Sequence, residues 1–125
     1  MAAGLENLEI YMVAKELEDQ VYKLCENFPP EEKFGKTSQL KRSTSSVTDN
    51  IAESYGRFGY QDKIQFLYIS RGSAEEARSQ LERSKKIVSK NQHIQIDDLI
   101  DQYSSEIKRI NGFIQYLKTK KLGIS

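Results

Sequence analysis

The chain has 125 residues, 38% hydrophobic and 30% charged, with 2 Pro, 7 Gly, no Trp and a formal net charge of +1, which is the size and helix-leaning composition of one domain that can bury a core without disulfides or metal. A balance this close to neutral excludes reading a polyanion partner from total charge, and no apolar run approaches the roughly 20 residues that span a bilayer. The lone cysteine, Cys25, excludes an intramolecular disulfide, and the stretch from Met1 to Glu9 lacks the basic start and apolar run of a secretion signal, so the expected setting is cytoplasmic, away from membranes.

The first segment, about residues 7–28, repeats apolar residues at Ile10, Val13, Ala14, Leu17, Val21, Leu24, Cys25 and Phe28, the spacing of one helical stripe. Phe28-Pro29-Pro30 ends it. Pro30 followed by Glu31 and Glu32 predicts the first turn of a second helix over about 31–58, with acids near the positive end of its dipole. That helix carries Leu40, Thr44, Val47, Ile51, Tyr55 and Phe58, with Ser43, Ser45, Ser46 and Ala52 interleaved, so its packing face is small. Arg57-Phe58-Gly59-Tyr60 closes it, with Gly59 expected in the left-handed conformation that ends many helices. The third segment, about 61–90, places Phe66, Ile69, Ser73, Ala77, Leu81, Ser84, Ile87 and Val88 at helical spacing. After a polar stretch over 89–95, Asp97 and Asp98 open a fourth helix over about 97–121. Its stripe is Leu99, Tyr103, Ile107, Ile110, Ile114 and Leu117, and Lys118, Lys120 and Lys121 suit the negative end of its dipole. Segments of about 20 residues, each roughly 30 Å long, joined by short connections predict an all-α antiparallel four-helix bundle in up-down-up-down order, one domain over residues 1–125.

Familiar chemistry does not fit this pattern. Bundles of this shape hold paired metals through carboxylates and a Glu-x-x-His pair, whereas the single histidine, His93, has Lys90 three residues before it and reads as a solvated loop residue. Cys25 lies on an apolar stripe and reads as a buried, inert thiol. The glycines of Tyr55-Gly56-Arg57-Phe58-Gly59-Tyr60 match no nucleotide-binding spacing, and Ser73 after Gly72 lacks the strand-to-helix elbow of a serine nucleophile. The expectation is a non-enzyme with no metal and no cofactor.

The distribution of charge is more informative than its total. Residues 1–35 hold three lysines (Lys15, Lys23, Lys33) against eight acids (Glu6, Glu9, Glu16, Glu18, Asp19, Glu26, Glu31, Glu32), a balance of −5 that leaves +6 for the remainder. Such a split marks either a polyanion-binding face or complementary surfaces between copies of the chain. Lys36, Lys41, Arg42, Arg57, Lys63 and Arg71 are the candidate contacts for nucleic acid or another partner. Tyr11, Tyr22, Tyr68 and Tyr116 lie off the main stripes and are candidates for an interface between copies.

Three tracts in order, Phe34-Gly35-Lys36-Thr37-Ser38-Gln39-Leu40-Lys41-Arg42, Asn50-Ile51-Ala52-Glu53-Ser54-Tyr55-Gly56-Arg57 and Phe66-Leu67-Tyr68-Ile69-Ser70-Arg71-Gly72-Ser73, resemble the four-helix bundle family encoded by intervening sequences in large-subunit ribosomal RNA genes. The resemblance runs from about Leu8 to Leu117, with Thr48 standing where a proline is frequent and Ser54 where a glycine is frequent. It implies an antiparallel bundle without established enzymatic activity that assembles as a homo-oligomer, commonly a pentamer. A related protein, the accessory variability determinant of diversity-generating retroelements, partners a reverse transcriptase and nucleic acid, so RNA, DNA or such an enzyme are the partners implied. Asn50, Glu53, Gly56, Gly72 and Ser73 are the motif residues. Their structural reading has Asn50 and Glu53 capping or bonding a neighbouring helix, Gly56 ending a packing ridge, and Gly72 with Ser73 allowing close approach of the third helix to the second.

Overall fold

The computed structural model describes residues 4–123, and among them all regular structure is helical: α1 (Glu9–Cys25), α2 (Lys36–Gly56), α3 (Tyr60–Arg83) and α4 (His93–Lys121). Short 3-10 turns at Leu5–Asn7, Pro30–Glu32, Ser84–Ile87 and Lys90–Gln92 lead into or out of them.

Residue pairs across the seams give the direction of each helix. Going up α2 and down α3, Lys36 meets Gln80, Ser46 meets Ser73, Val47 meets Ser70 and Ser54 meets Lys63. Between α3 and α4, Gln61 meets Lys121 and Arg71 meets Asn111. Between the first and last helices, Glu9 meets Arg109, and the residues just beyond, Asn27 and Gln92, bond at 3.2 Å. Each of these seams is therefore antiparallel, and the four helices form a bundle.

The expected stripes of α1 and α4 face the core. Ile10, Ala14, Leu17, Val21, Leu24, Cys25 and Phe28 are buried, with Val13 at the margin, and every residue of the α4 stripe is buried alongside Ile96. Burial pushes the Cys25 thiol up to about 11, against a weaker opposing pull from Lys41, so it stays protonated.

The second helix differs from expectation at both ends. Pro30–Glu32 forms only a 3-10 turn, and α2 starts at Lys36, whose backbone N–H donates to Glu32 Oε1 at 3.0 Å. A Cβ on Gly35 would sit 2.9 Å from that oxygen, so the glycine leaves room for the cap. At the other end α2 stops at Gly56, so Tyr55 and Phe58 do not extend the core stripe and are exposed. Gly59 is extended, with φ −88° and ψ 148°, instead of left-handed. No left-handed cap is required there because Lys63 Nζ donates to the carbonyls of Ser54 and Tyr55 at 3.4 and 3.2 Å.

The third helix is rotated from the expected stripe in its first half, while the expected Ala77, Leu81 and Ser84 are buried. Ile64, Leu67, Ser70, Ala74, Ala77, Gln80 and Leu81 face the core, whereas Phe66 and Ser73 are half-buried and Ile69 is 51% exposed. Small residues decide the seam with α2: the Ser70 hydroxyl donates to the Val47 carbonyl at 2.8 Å, and Ser46 and Ser73 share a hydrogen bond at 2.7 Å. His93 also departs from the loop reading. It is the first residue of α4, half-buried, and its Nε2–H donates to the Lys85 carbonyl at 2.8 Å.

The Ser46–Ser73 contact yields the first expected result. Ser46→Leu removes that hydrogen bond and forces a longer side chain into the α2–α3 seam, at a cost of roughly 1 to 3 kcal/mol. A melting temperature unchanged from the parent would show that the seam has room to spare.

Candidate functional site

The six basic residues singled out from the sequence do not form one surface. Lys36 is half-buried and donates to Gln80 Oε1 at 2.6 Å, holding α2 to α3; burial first, and then Arg83 beside it, depress its pKa. Lys41 lies over the Tyr22 ring at 4.9 Å, in the seam with α1. Arg42 is exposed and reaches Ser38 Oγ at 3.3 Å. Arg71 donates to Asn111 Oδ1 at 2.6 Å and stacks on Tyr68, tying α3 to α4. Lys63 caps α2, and Arg57 pairs with Glu53 at 2.9 Å while covering the Phe66 ring at 4.6 Å.

The motif residues act mostly within α2. Asn50 donates to the Ser46 carbonyl at 2.8 Å and to Ser46 Oγ at 3.0 Å, so it reaches α3 only through the Ser46–Ser73 pair. Glu53 pairs with Arg57, the first residue past the end of its own helix, and not with a neighbouring helix. Gly56 and Gly72 both have open space where a Cβ would lie, so neither serves close helix approach; of that pair of motif positions only Ser73 does. Ser54, buried, donates to the Lys63 carbonyl at 2.9 Å and ties the end of α2 to the start of α3.

What the fold does bring together is a charged end that the sequence pattern left dispersed. The last turn of α4 contributes Lys118, Lys120 and Lys121. Lys121 donates to Gln61 on the first turn of α3, which brings the last turn of α4 to the end of the bundle that holds Arg57 and Lys63; Lys118 lies over the Tyr68 ring of α3, and Lys120 over the Tyr116 ring of its own helix. Glu53 and Asp62 are the acids near the α2–α3 turn, and Glu53 is already engaged by Arg57. Exposed aromatics rise from the same end. Phe58 is 102% exposed, and Tyr55 and Tyr60 are exposed on either side of it. Of the tyrosines expected at an interface, Tyr22 (37%) and Tyr116 (53%) are exposed. Tyr11 and Tyr68 instead pack against the core, Tyr68 beneath Arg71 and Lys118.

A second polar feature lies inside the bundle. Glu106, on the core side of α4, is 0% exposed. Its Oε1 lies 3.5 Å from Arg109 NH1, and its Oε2 has no hydrogen-bond partner in the protein; the same holds for the buried Tyr103 hydroxyl one turn earlier. Burial outweighs the attraction of Arg109, which is itself drawn toward Glu9 at 3.9 Å, and raises the Glu106 carboxyl from its ordinary 4.5 to about 8. The same burial, with Glu18 and Glu106 adding to it, raises the Tyr103 hydroxyl. Nearby on the α1–α4 seam a cavity of about 170 Å³ is lined by Val13, Glu16, Leu17, Gln102, Ser105 and Arg109. The sequence did carry a signal for Glu106: Ile96, Leu99, Tyr103, Glu106, Ile110, Phe113 and Leu117 recur at alternating steps of three and four, which puts the carboxylate on the seam.

Among the described residues no group of three or more His, Cys, Asp and Glu side chains is placed to hold a metal ion, and no helix is long and apolar enough to cross a membrane.

Comparison with known proteins agrees with the geometry. A family model described as 23S rRNA-intervening sequence protein matches residues 6–112. A solved structure from Bacteroides thetaiotaomicron, a protein with unknown function from the S23 ribosomal protein family, superposes with a TM-score of 0.71 at 21% identity, covering 84% of this chain and 97% of the other, which is a likeness of fold. No curated protein matches the chain.

Proposed function

This chain belongs to the 23S rRNA-intervening sequence protein family, and from that premise we propose a non-catalytic scaffold that binds nucleic acid through the end of the bundle where the α2–α3 turn meets the last turn of α4. The observation that carries this reading is the Lys121–Gln61 bond, which brings the last turn of α4, with Lys118, Lys120 and Lys121, to the end of the bundle that holds Arg57 and Lys63. Ammonium groups on flexible stems suit phosphates, which supply affinity without sequence readout. Lys36, at the opposite end of α2, and Arg71, midway along α3, lie away from that end of the bundle and play no part in the site. The scaffold acts as a homo-oligomer, five copies by family resemblance, with the exposed Tyr22 and Tyr116 among its contacts; repetition would present the basic end several times at high effective concentration.

Binding of a fluorescent RNA or DNA should weaken steeply with salt, because each neutralised phosphate releases condensed counterion. Replacing Lys118, Lys120 and Lys121 together by Gln should flatten the log–log slope by about 2 to 3, at roughly 0.7 to 0.9 for each phosphate that is no longer neutralised. Lys41 and Arg42, on the other half of α2, changed together to Gln, should leave it nearly untouched. Light scattering on each variant separates weaker phosphate binding from weaker assembly. No binding at low salt, or a triple variant indistinguishable from the parent, would favour a module that meets only proteins, the acidic face of α1 on one copy against the basic end of another.

A further inference from the structure

Phe58 is the residue whose placement the fold does least to explain. Helix α2 ends two residues before it and α3 begins two residues after it, so it sits at the crest of a three-residue turn. Its ring is as exposed as in an isolated extended chain. It does not cap a hydrophobic patch of the core: the Phe66 ring of α3 is covered by Arg57 and half-buried, while the Phe58 ring is fully exposed. The residues at its side are the rings of Tyr55 and Tyr60, and across the same end stand the lysines of α4.

An aromatic ring held out on a short turn, at the same end of the bundle as the lysines of the last turn of α4, suits a specific ligand chemistry. Every nucleobase has a π-face on which such a ring can stack, and the phosphates on either side of that base pair with the lysines. In a duplex those faces are already covered by neighbouring base pairs, and exposing one requires unpairing it. In a single strand, a loop or a bulge they are open. A duplex would use the lysines and leave Phe58 idle.

From this geometry we infer that the α2–α3 turn is a stacking site for an unpaired base, so that this end of the bundle takes single-stranded polynucleotide, with Phe58 on a base and Lys118, Lys120 and Lys121 on the flanking phosphates. The inference rests on the nucleic-acid reading given above and narrows it from any polyanion to unpaired segments. Ribose and deoxyribose strands share the chemistry that matters here, and the order of their affinities would show whether the 2′-hydroxyl is also read.

The test compares an unstructured oligouridylate, its deoxy counterpart and a blunt RNA duplex of equal length, at one fixed low salt concentration, on the full chain and on Phe58→Ala and Phe58→Trp. The parent should prefer the single strands. Phe58→Ala should weaken single-strand binding roughly five- to hundredfold, leave duplex binding and the salt slope unchanged, and be rescued by Phe58→Trp. Because the ring touches none of the core, circular dichroism and oligomer size should not move. Single-strand binding unchanged in Phe58→Ala but abolished when the three lysines become Gln would overturn the stacking site while leaving the polyanion reading intact. Duplex preferred over single strand by the parent would do the same. Failure of the parent to bind any of the three probes would instead remove the nucleic-acid reading itself, and a fall in oligomer size in Phe58→Ala would assign the ring to a contact between copies.

Discussion

Replacing Glu106 by Gln should make the bundle's stability nearly independent of pH between about 4.5 and 8, where the parent loses stability steadily. In the folded state burial raises this carboxyl from 4.5 to about 8. Between those values the folded chain holds a proton that the unfolded chain has released. Folding therefore weakens as pH rises through that window, is fully supported below it, and loses nothing more above it. At about 1.4 kcal/mol per pH unit the whole span corresponds to a loss on the order of 5 kcal/mol.

The groups facing Glu106 define how the change should be read. Arg109 on the same helix and Glu9 on α1 act on it directly, and it in turn acts on Tyr103, which also feels Glu18. Gln keeps the shape and an oxygen for Arg109, but its amide N–H group meets the same lack of partners that Oε2 has. That unsatisfied donor costs roughly 1 to 3 kcal/mol. The variant should therefore be about 2 to 4 kcal/mol more stable than the parent at pH 8 and about 1 to 3 kcal/mol less stable than it near pH 4.5. Urea unfolding at a series of pH values measures both. Parallel stability curves for parent and variant would mean that Glu106 is ionised in the folded protein, paired with Arg109 instead of held neutral.

Leu17→Ala should destabilise the bundle by roughly 2 to 5 kcal/mol, which for a chain of this size lowers Tm by on the order of 10 °C. Leu17 is buried in the middle of α1, and it also forms part of the wall of the cavity on the α1–α4 seam. Truncation enlarges that space. Its other walls include Glu16, Gln102, Ser105 and Arg109, so water can enter where the methyl groups were, and the helices have little reason to close over it. Met12, exposed on the same helix, is the natural control, since Met12→Ala should stay within about 0.5 kcal/mol. A loss below that same level for Leu17→Ala would show that α1 is not held where the structure puts it.

The residues by themselves determined a good deal of this protein. The stripes of α1 and α4 are long, apolar and interrupted by few alternatives, so their buried faces follow from a 3.6-residue period alone. The break at Phe28-Pro29-Pro30 follows from proline's missing N–H, and the inert Cys25 from its place on a stripe. The three tracts that resemble the intervening-sequence family also lie in plain view, and the family match over residues 6–112 agrees with them.

Tertiary structure decided what a single helix leaves degenerate. On α3 two neighbouring stripes are about equally apolar, and the choice of Ile64, Leu67, Ser70 and Ala74 over Phe66, Ile69 and Ser73 was made by α2, whose small face accepts small residues and a serine hydroxyl on the Val47 carbonyl. The end of α2 depended on a lysine seven residues beyond its last residue, Lys63, reaching back to its free carbonyls. Glu106 sat on a core register that its charge disguised, because a carboxyl's protonation depends on the medium around it, and that medium exists only once the helices have closed. The charged, aromatic end joins residues some sixty positions apart, Gln61 to Lys121. No periodicity within one helix encodes that proximity; it arises because antiparallel packing returns the end of α4 to the turn where α3 began.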